Sequence, residues 1–238
     1  QQIQNILRDP INHSDLIINY NYDRIVTITN GKTKFKLCQN IPILIDFEKS
    51  IFEEKAYTNF DLKESFIGKR SMFKKKIKNF LNGSIYNSKK SLEIFKSNIC
   101  SNPKILIIGG GNIGTAMDTL YDDQSLNLIS TDVYPSDKIQ FISDCHNLPI
   151  KDNSVDGVII QAVLEHVLNP NKVVCEIYRV LKPEGLVLAE TPFMQQSHEE
   201  PYDFNRFTEL GHRWLFRSFN TIHRQTNGGP GLSLYWSI

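Results

Sequence analysis

The stretch KILIIGGGNIGTAMDTL, residues 104–120, decides the fold. Four apolar residues, Ile105 to Ile108, run straight into Gly109-x-Gly111-x-x-Gly114, and a helical pattern follows. Glycines in that place allow a tight strand-to-helix turn and let a ligand lie against bare backbone, with N–H groups at the helix start turned toward it. Downstream, apolar strand runs alternate with helical ones: LNLIST (126–131), IQFIS (139–143), VDGVIIQ (155–161), a helix over NPNKVVCEIYRVL (169–181), then GLVLAE (185–190). The alternation predicts an α/β fold, a Rossmann-like doubly wound and mostly parallel sheet.

The second strand ends in Ser130-Thr131-Asp132. An acid at the end of that strand accepts both hydroxyls of a ribose. Glycine loop and acid together imply an adenosine-containing ligand, and at this point NAD and S-adenosyl-L-methionine both remain open.

Working outward, residues 1–50 alternate short β-prone runs with turns: LIINYN, then RIVTITNGKTKFKL with a turn at Asn30-Gly31, then IPILIDF. They read as a small β-rich N-terminal unit. Residues 51–100 read as a helical connector of two helices. The first lies in SFIGKRSMFKKKIKNFLNG, where Phe66, Phe73, Ile77, Phe80 and Leu81 share a face and Gly83 stands as a C-cap. The second starts near Asn87-Ser88 and turns Leu92, Ile94 and Phe95 inward. Residues 101–238 form the α/β domain. The chain begins without Met and ends in GGPGLSLYWSI, the pattern of a piece of a longer chain.

Charge is segregated. Residues 63–104 hold eleven Lys or Arg against two acids, and residues 116–204 hold five against fifteen. Lys74, Lys75, Lys76 and Lys78 fall on the wet face of the first connector helix, a solvated face or an RNA contact. The total, 27 Lys and Arg against 26 Asp and Glu, excludes a chain drawn to nucleic acid by bulk charge, and 40 % hydrophobic residues exclude disorder. No apolar run reaches the roughly 18 residues of a membrane span, and the first residues lack a secretory signal, so no membrane partner and a cytoplasmic location are expected. The four cysteines, Cys38, Cys100, Cys145 and Cys175, form no CxxC, so reduced thiols and no metal are expected.

The stretch ISDCHNLPIKDNSVDGVIIQAVLEHVLNPNKVVCEIYRVLKPEGLVLAETPF, residues 142–193, resembles the class I S-adenosylmethionine-dependent methyltransferases, in the type-11-like branch. The landmarks are Asp144-Cys145, Leu148-Pro149-Ile150, Asp156 to Ile160, Leu164-Glu165-His166 and Leu181-Lys182-Pro183-Glu184-Gly185. The resemblance runs from about Lys104 to Phe193. It implies a seven-stranded sheet, its last two strands beyond Phe193, and S-adenosyl-L-methionine as cofactor. It also implies that Gly109, Gly111 and Gly114 shape the loop under the cofactor and that Asp132 binds the ribose. Asp144 would accept from the adenine amino group with Cys145 beside the ring, and Gln161 with Ala162 would lie near the methionine end. Asp156, ahead of a buried strand, reads as structural. One departure stands out: the family's acid in the first strand is replaced by Ile107 and Ile108, and the glycine loop is one residue longer. The cofactor's amino group is thereby left without its usual holder.

KLCQNIPILIDF, residues 36–47, is similar to the close of a small zinc-ribbon-like domain related to methyltransferase activator subunits. With Cys38 alone there, such a module would be metal-free. For transfer to a hydroxyl or ammonium, a proton must leave, and His is the economical base near neutral pH. The candidates are His166 in LEHV and His198 in PFMQQSHEEPYDFNRFT, which resembles the family's loop after the fifth strand. Otherwise His166 packs a helix and His198 orders its loop through Asp203 and Arg206. His13, His146, His212 and His223 show no partner pattern, and Trp214 and Phe216 read as core of the next helix. The reading is methyl transfer to a small-molecule or sugar-type acceptor. The alternatives are an RNA or protein acceptor, a catalytically silent methyltransferase-like partner domain, and an NAD-linked oxidoreductase, in which LPIKDNSVDGV and LEHV would have no role.

Overall fold

Along β5 (Lys104–Ile108), successive side chains leave on opposite faces, as a strand's two-residue period requires. Leu106 and Ile108 join one apolar cluster, and Ile105 and Ile107 join another. Both faces of the central strand are therefore buried, the signature of a sheet covered on both sides. The computed structural model describes residues 3–21, 24–58, 83–198 and 201–227.

The sheet has five parallel strands in the order β7-β6-β5-β8-β9: β6 is Asn127–Asp132, β7 Phe141–Ile142, β8 Val155–Gln161 and β9 Leu181–Glu190. The chain winds outward from β5 through β6 to β7, then returns to β5's other side with β8 and β9, which puts the topological switch between β5 and β8. On one face, α4 (Pro170–Val180) buries Val173, Val174, Ile177 and Val180. Asn169 caps it by accepting from the Lys172 N–H at 3.1 Å, with Pro170 in the first turn. On the other face, α2 (Gly83–Asn98) sets Leu92 and Phe95 against Ile105, Ile107 and Ile159. Asp156 is structural as expected: it accepts from the Lys104 N–H at 2.8 Å and from Lys182 Nζ at 2.7 Å, pinning β8 to β5 and β9.

The N-terminal residues form two antiparallel pairs, β1 (Ile17–Asn21) with β2 (Arg24–Thr29) and the two-residue β3 (Leu37–Cys38) with β4 (Ile41–Pro42). Their side chains do not close a core apart. Ile6, Leu7, Leu16, Ile28 and Leu44 belong to the same cluster as Leu106, Phe141, Ile150 and Val158. A short helix, α1 (Glu54–Thr58), follows.

Several boundaries differ from the sequence reading. α2 starts at Gly83, ahead of the start expected near Asn87-Ser88, and Ile94 is only half-buried. The helix expected directly after Gly114 is one turn, α3 (Asp118–Tyr121), because Ala116 has φ +64° and takes the chain off the helical path. β9 begins at Leu181 and bulges through Lys182-Pro183-Glu184, Glu184 having φ +63°, before pairing resumes at Leu186. After Glu190, the described residues add one helix, α5 (Glu209–Leu215), and no strand, so the described sheet has five strands where seven were expected. The lysine-rich helix expected over 66–81 lies outside the described residues. No helix among the described residues is long and apolar enough to cross a membrane.

Leu106 is fully buried in the central strand, whereas Ile11 is 53 % exposed. Leu106→Ala is expected to cost about 2–5 kcal/mol by urea unfolding, and Ile11→Ala less than about 1 kcal/mol.

Candidate functional site

Parallel strands deliver the loops after β5 to β9 to one edge of the sheet. Gly109 has φ +78°, and a Cβ there would stand 2.2 Å from Val163 Cγ2. A Cβ on Gly111 would be 2.7 Å from Asp132 Oδ2, and one on Gly114 1.7 Å from Gln161 Oε1. Each glycine of the motif thus lets a side chain from another strand's end close onto the loop backbone. The Gly111 N–H donates to Asp132 Oδ2 at 2.9 Å, the Tyr134 N–H to Oδ1 at 3.2 Å, and Ser136 Oγ donates to the Gly111 carbonyl at 2.8 Å. Beneath the loop is a cleft lined by Ile107, Ile108, Gly109, Asn112, Gly114 and Gln161.

Gln161, last in β8, bridges outward: its Nε2 donates to the Thr115 carbonyl at 3.1 Å and to Glu190 Oε2 at 2.6 Å. Ala162 follows at φ +54°. Asp144 is buried, and burial alone would raise its carboxyl. Hydrogen bonds from the His146 side chain (2.6 Å), Ser50 Oγ (2.5 Å) and the His146 N–H (2.9 Å) outweigh that and hold it below the ordinary range. Its neighbour Cys145 is also buried, and burial, then the Asp144 charge, pushes its thiol well up. Tyr57 on α1 is buried; its phenol is raised by burial and further by nearby Tyr134, Asp144, Tyr202 and Asp132.

His166 and His198 meet edge to face, ring centroids 4.8 Å apart. His166 Nδ1–H donates to the Tyr202 carbonyl at 2.5 Å and His198 Nδ1–H to the Gln196 carbonyl at 3.0 Å, which leaves the lone pair of each ring on Nε2. His166 lies in a single 3₁₀ turn, Leu164–His166, and does not pack a long helix. The fully buried Glu165 lies beside it, Oε1 being 3.7 Å from His166 Nε2. The loop around His198 is fixed by Asp203, which accepts the His198 N–H at 2.9 Å and pairs with both terminal nitrogens of Arg206 at 2.5 and 2.8 Å. The Arg206 bonds outweigh burial and take the Asp203 carboxyl far below its usual range.

Two groups of described residues bring metal-ligating atoms within 4.8 Å of one another: Asp144 with Cys145 and His146, and Glu165 with His166 and His198. In the first, Asp144 and His146 bind each other, and His146 Nε2 accepts from the Asn169 N–H at 3.0 Å. The second sets two imidazoles beside a carboxylate. The cysteines are free thiols, Cys38 and Cys145 buried, Cys100 and Cys175 exposed.

The sequence-predicted site residues divide into three sets at this edge. Gly109, Gly111, Gly114, Asp132 and Gln161 surround the loop, and His166 and His198 touch beyond it. Asp144 and Cys145 follow β7, where Ser50 already donates to Asp144. Sequence reasoning missed Ser50, Tyr57, His146 and Glu190. For Ser50 and Tyr57 no local signal exists, while Glu190 stood at the end of a strand with its role unread. Trp214, expected in the core, is 70 % exposed with Arg217 over its ring at 4.9 Å, and Phe216 packs inward as expected.

Residues 115–189 match the family model described as a methyltransferase domain. That match lies within the α/β part of the chain. Two curated relatives are named demethylmenaquinone methyltransferase. The one from Renibacterium salmoninarum is 32 % identical over 121 residues, 50 % of this chain and 48 % of its own. That from Paenarthrobacter aurescens is 34 % identical over 122 residues, 50 % of this chain and 45 % of its own. The chain thus spans about half the length of the curated relatives it matches. Among solved structures, a SAM-dependent methyltransferase from Aquifex aeolicus is similar at 17 % identity and TM-score 0.45, over 60 % of this chain and 86 % of that one.

Two glycines with positive φ, Gly31 after β2 and Gly109 after β5, are separated by experiment. Gly31 has φ +88° with open space where a Cβ would go, and Gly109 has both positive φ and the Val163 clash. Gly31→Ala is expected to cost about 1–2 kcal/mol from backbone strain, and Gly109→Ala a further 1–3 kcal/mol, roughly, from overpacking, both read by urea unfolding.

Proposed function

We propose that the chain transfers a methyl group from S-adenosyl-L-methionine to a small-molecule acceptor. The single observation that carries this reading is the closure of the glycine loop onto Asp132 and Gln161 at the switch between β5 and β8. Asp132 presents a carboxylate for ribose hydroxyls, and Gln161 flanks the methionine end. Asp144 and Cys145 bound the adenine end under Ser50 and Tyr57.

The bound sulfonium supplies an already activated methyl, so the protein's work is alignment, exclusion of water and removal of a proton. His198 accepts the acceptor's proton at Nε2, its ring held by the Gln196 carbonyl and its backbone by Asp203. His166 backs it edge-on. Phe204 and Tyr202, in the same loop, give the acceptor apolar walls; the Tyr202 ring lies 5.3 Å from Phe52 and 6.4 Å from Phe204. The relatives' name, demethylmenaquinone methyltransferase, supports a small-molecule acceptor.

The test is methyl transfer from labelled S-adenosyl-L-methionine to a panel of hydroxylated small molecules, with RNA and protein as parallel acceptors. Label in a small molecule alone supports the reading; label in RNA or protein alone overturns it. His198→Ala is expected to lower kcat by about 10²–10⁴-fold with little change in S-adenosylhomocysteine affinity, as a proton-acceptor role requires. Asp132→Ala is expected to weaken S-adenosylhomocysteine binding by about 1–3 kcal/mol in calorimetry, since it removes a charged acceptor.

A further inference from the structure

Resting on that cofactor reading, we infer that Glu190, at the end of β9, holds the α-ammonium group of the cofactor, together with Gln161, in place of the acid absent from β5. The positions just before the glycine loop cannot do this. Ile107 is packed with Ile105, Leu120 and Ile159, and Ile108 with Leu106 and Ile160 on the opposite face, so both lie in apolar clusters with no place for a charge.

The acceptor atoms lie one and two strands over. Gln161 Oε1 and Glu190 Oε1 are both buried and have no hydrogen-bond partner among the described residues. Buried acceptors left in this way cost stability unless a donor arrives. The two side chains are tied together by the 2.6 Å bond from Gln161 Nε2 to Glu190 Oε2. Gln161 Oε1 also lies where Gly114 has no Cβ, directly against the loop that carries the cofactor.

Charge selects the ligand group. The described donors to Glu190 Oε2 are neutral, the Gln161 amide and the Ser88 hydroxyl, the latter at 3.0 Å. Ser88 in turn accepts from Asn227 Nδ2 at 3.0 Å, and Gln225 Nε2 donates to Ser91 Oγ at 2.7 Å. This shell of α2 and residues 225–227 fixes the carboxylate with dipoles and brings it no cation. A carboxylate with one buried, unpartnered oxygen and neutral donors on the other is best completed by a cation with N–H to give. An α-ammonium meets that need and donates to both open oxygens.

The assignment is tested by calorimetry on the full chain with two ligands, S-adenosylhomocysteine and its deaminated analogue, which lacks only the α-amino group. The wild type is expected to bind the amino ligand at least tenfold more tightly than the analogue. Glu190→Gln is expected to lose tenfold or more for S-adenosylhomocysteine and to stay within twofold for the analogue, whose retained binding also reports a folded site. Equal loss for both ligands, or no loss for either, overturns the assignment while leaving the cofactor reading in place. A wild type that binds neither ligand overturns the cofactor reading, and the assignment with it.

Discussion

The structure depends on a close approach of bare backbone to side chains. Between Gly109 and Gly114 the chain turns back over the ends of β6 and β8 at distances that leave no room for a single Cβ. In the space so gained, the Asp132 carboxylate takes the Gly111 N–H and the Gln161 amide reaches the Thr115 carbonyl. A Cβ on Gly109 would run into Val163, and one on Gly111 or Gly114 would displace the Asp132 carboxylate or the Gln161 amide from the loop. The ligand edge of the sheet would then lose its shape, because that loop sets the distance between the acid of β6 and the amide of β8.

Two apolar clusters support the approach from opposite faces of β5, and the larger extends through the N-terminal residues. From that anchored segment the chain returns across the ligand edge. Ser50 donates to Asp144, Tyr57 is buried among Asp132, Tyr134 and Asp144, and Phe52 reaches the Tyr202 ring. The Tyr202 backbone carbonyl in turn accepts a hydrogen bond from His166 Nδ1. A continuous run of contacts therefore joins the Asp144 side of the edge to the histidine pair, and residues from the first quarter of the chain border both.

What the sequence disclosed and what it withheld follow from the range of the interactions. Alternation of strand and helix from Lys104 onward, the glycine spacing, Asp132 at a strand end and the Asn169-Pro170 helix start are local, and the structure has them near the expected positions. Ala116 carried no sign of its positive φ, so the helix after the loop was expected too early. One partner of Asp144 was invisible for another reason: Ser50 is 94 residues away, and no pattern in one sequence couples them. Glu190 was quoted as the last letter of a strand, but its meaning required knowing that β8 and β9 are adjacent and that Gln161 stands beside it.

The central claim is that this edge is an adenosyl-sulfur site. It is tested most directly by calorimetric titration of the wild-type chain with S-adenosylhomocysteine, with NADH titrated in parallel. Micromolar binding of S-adenosylhomocysteine and none of NADH is the expected result. Binding of NADH alone, or of neither, would contradict the account.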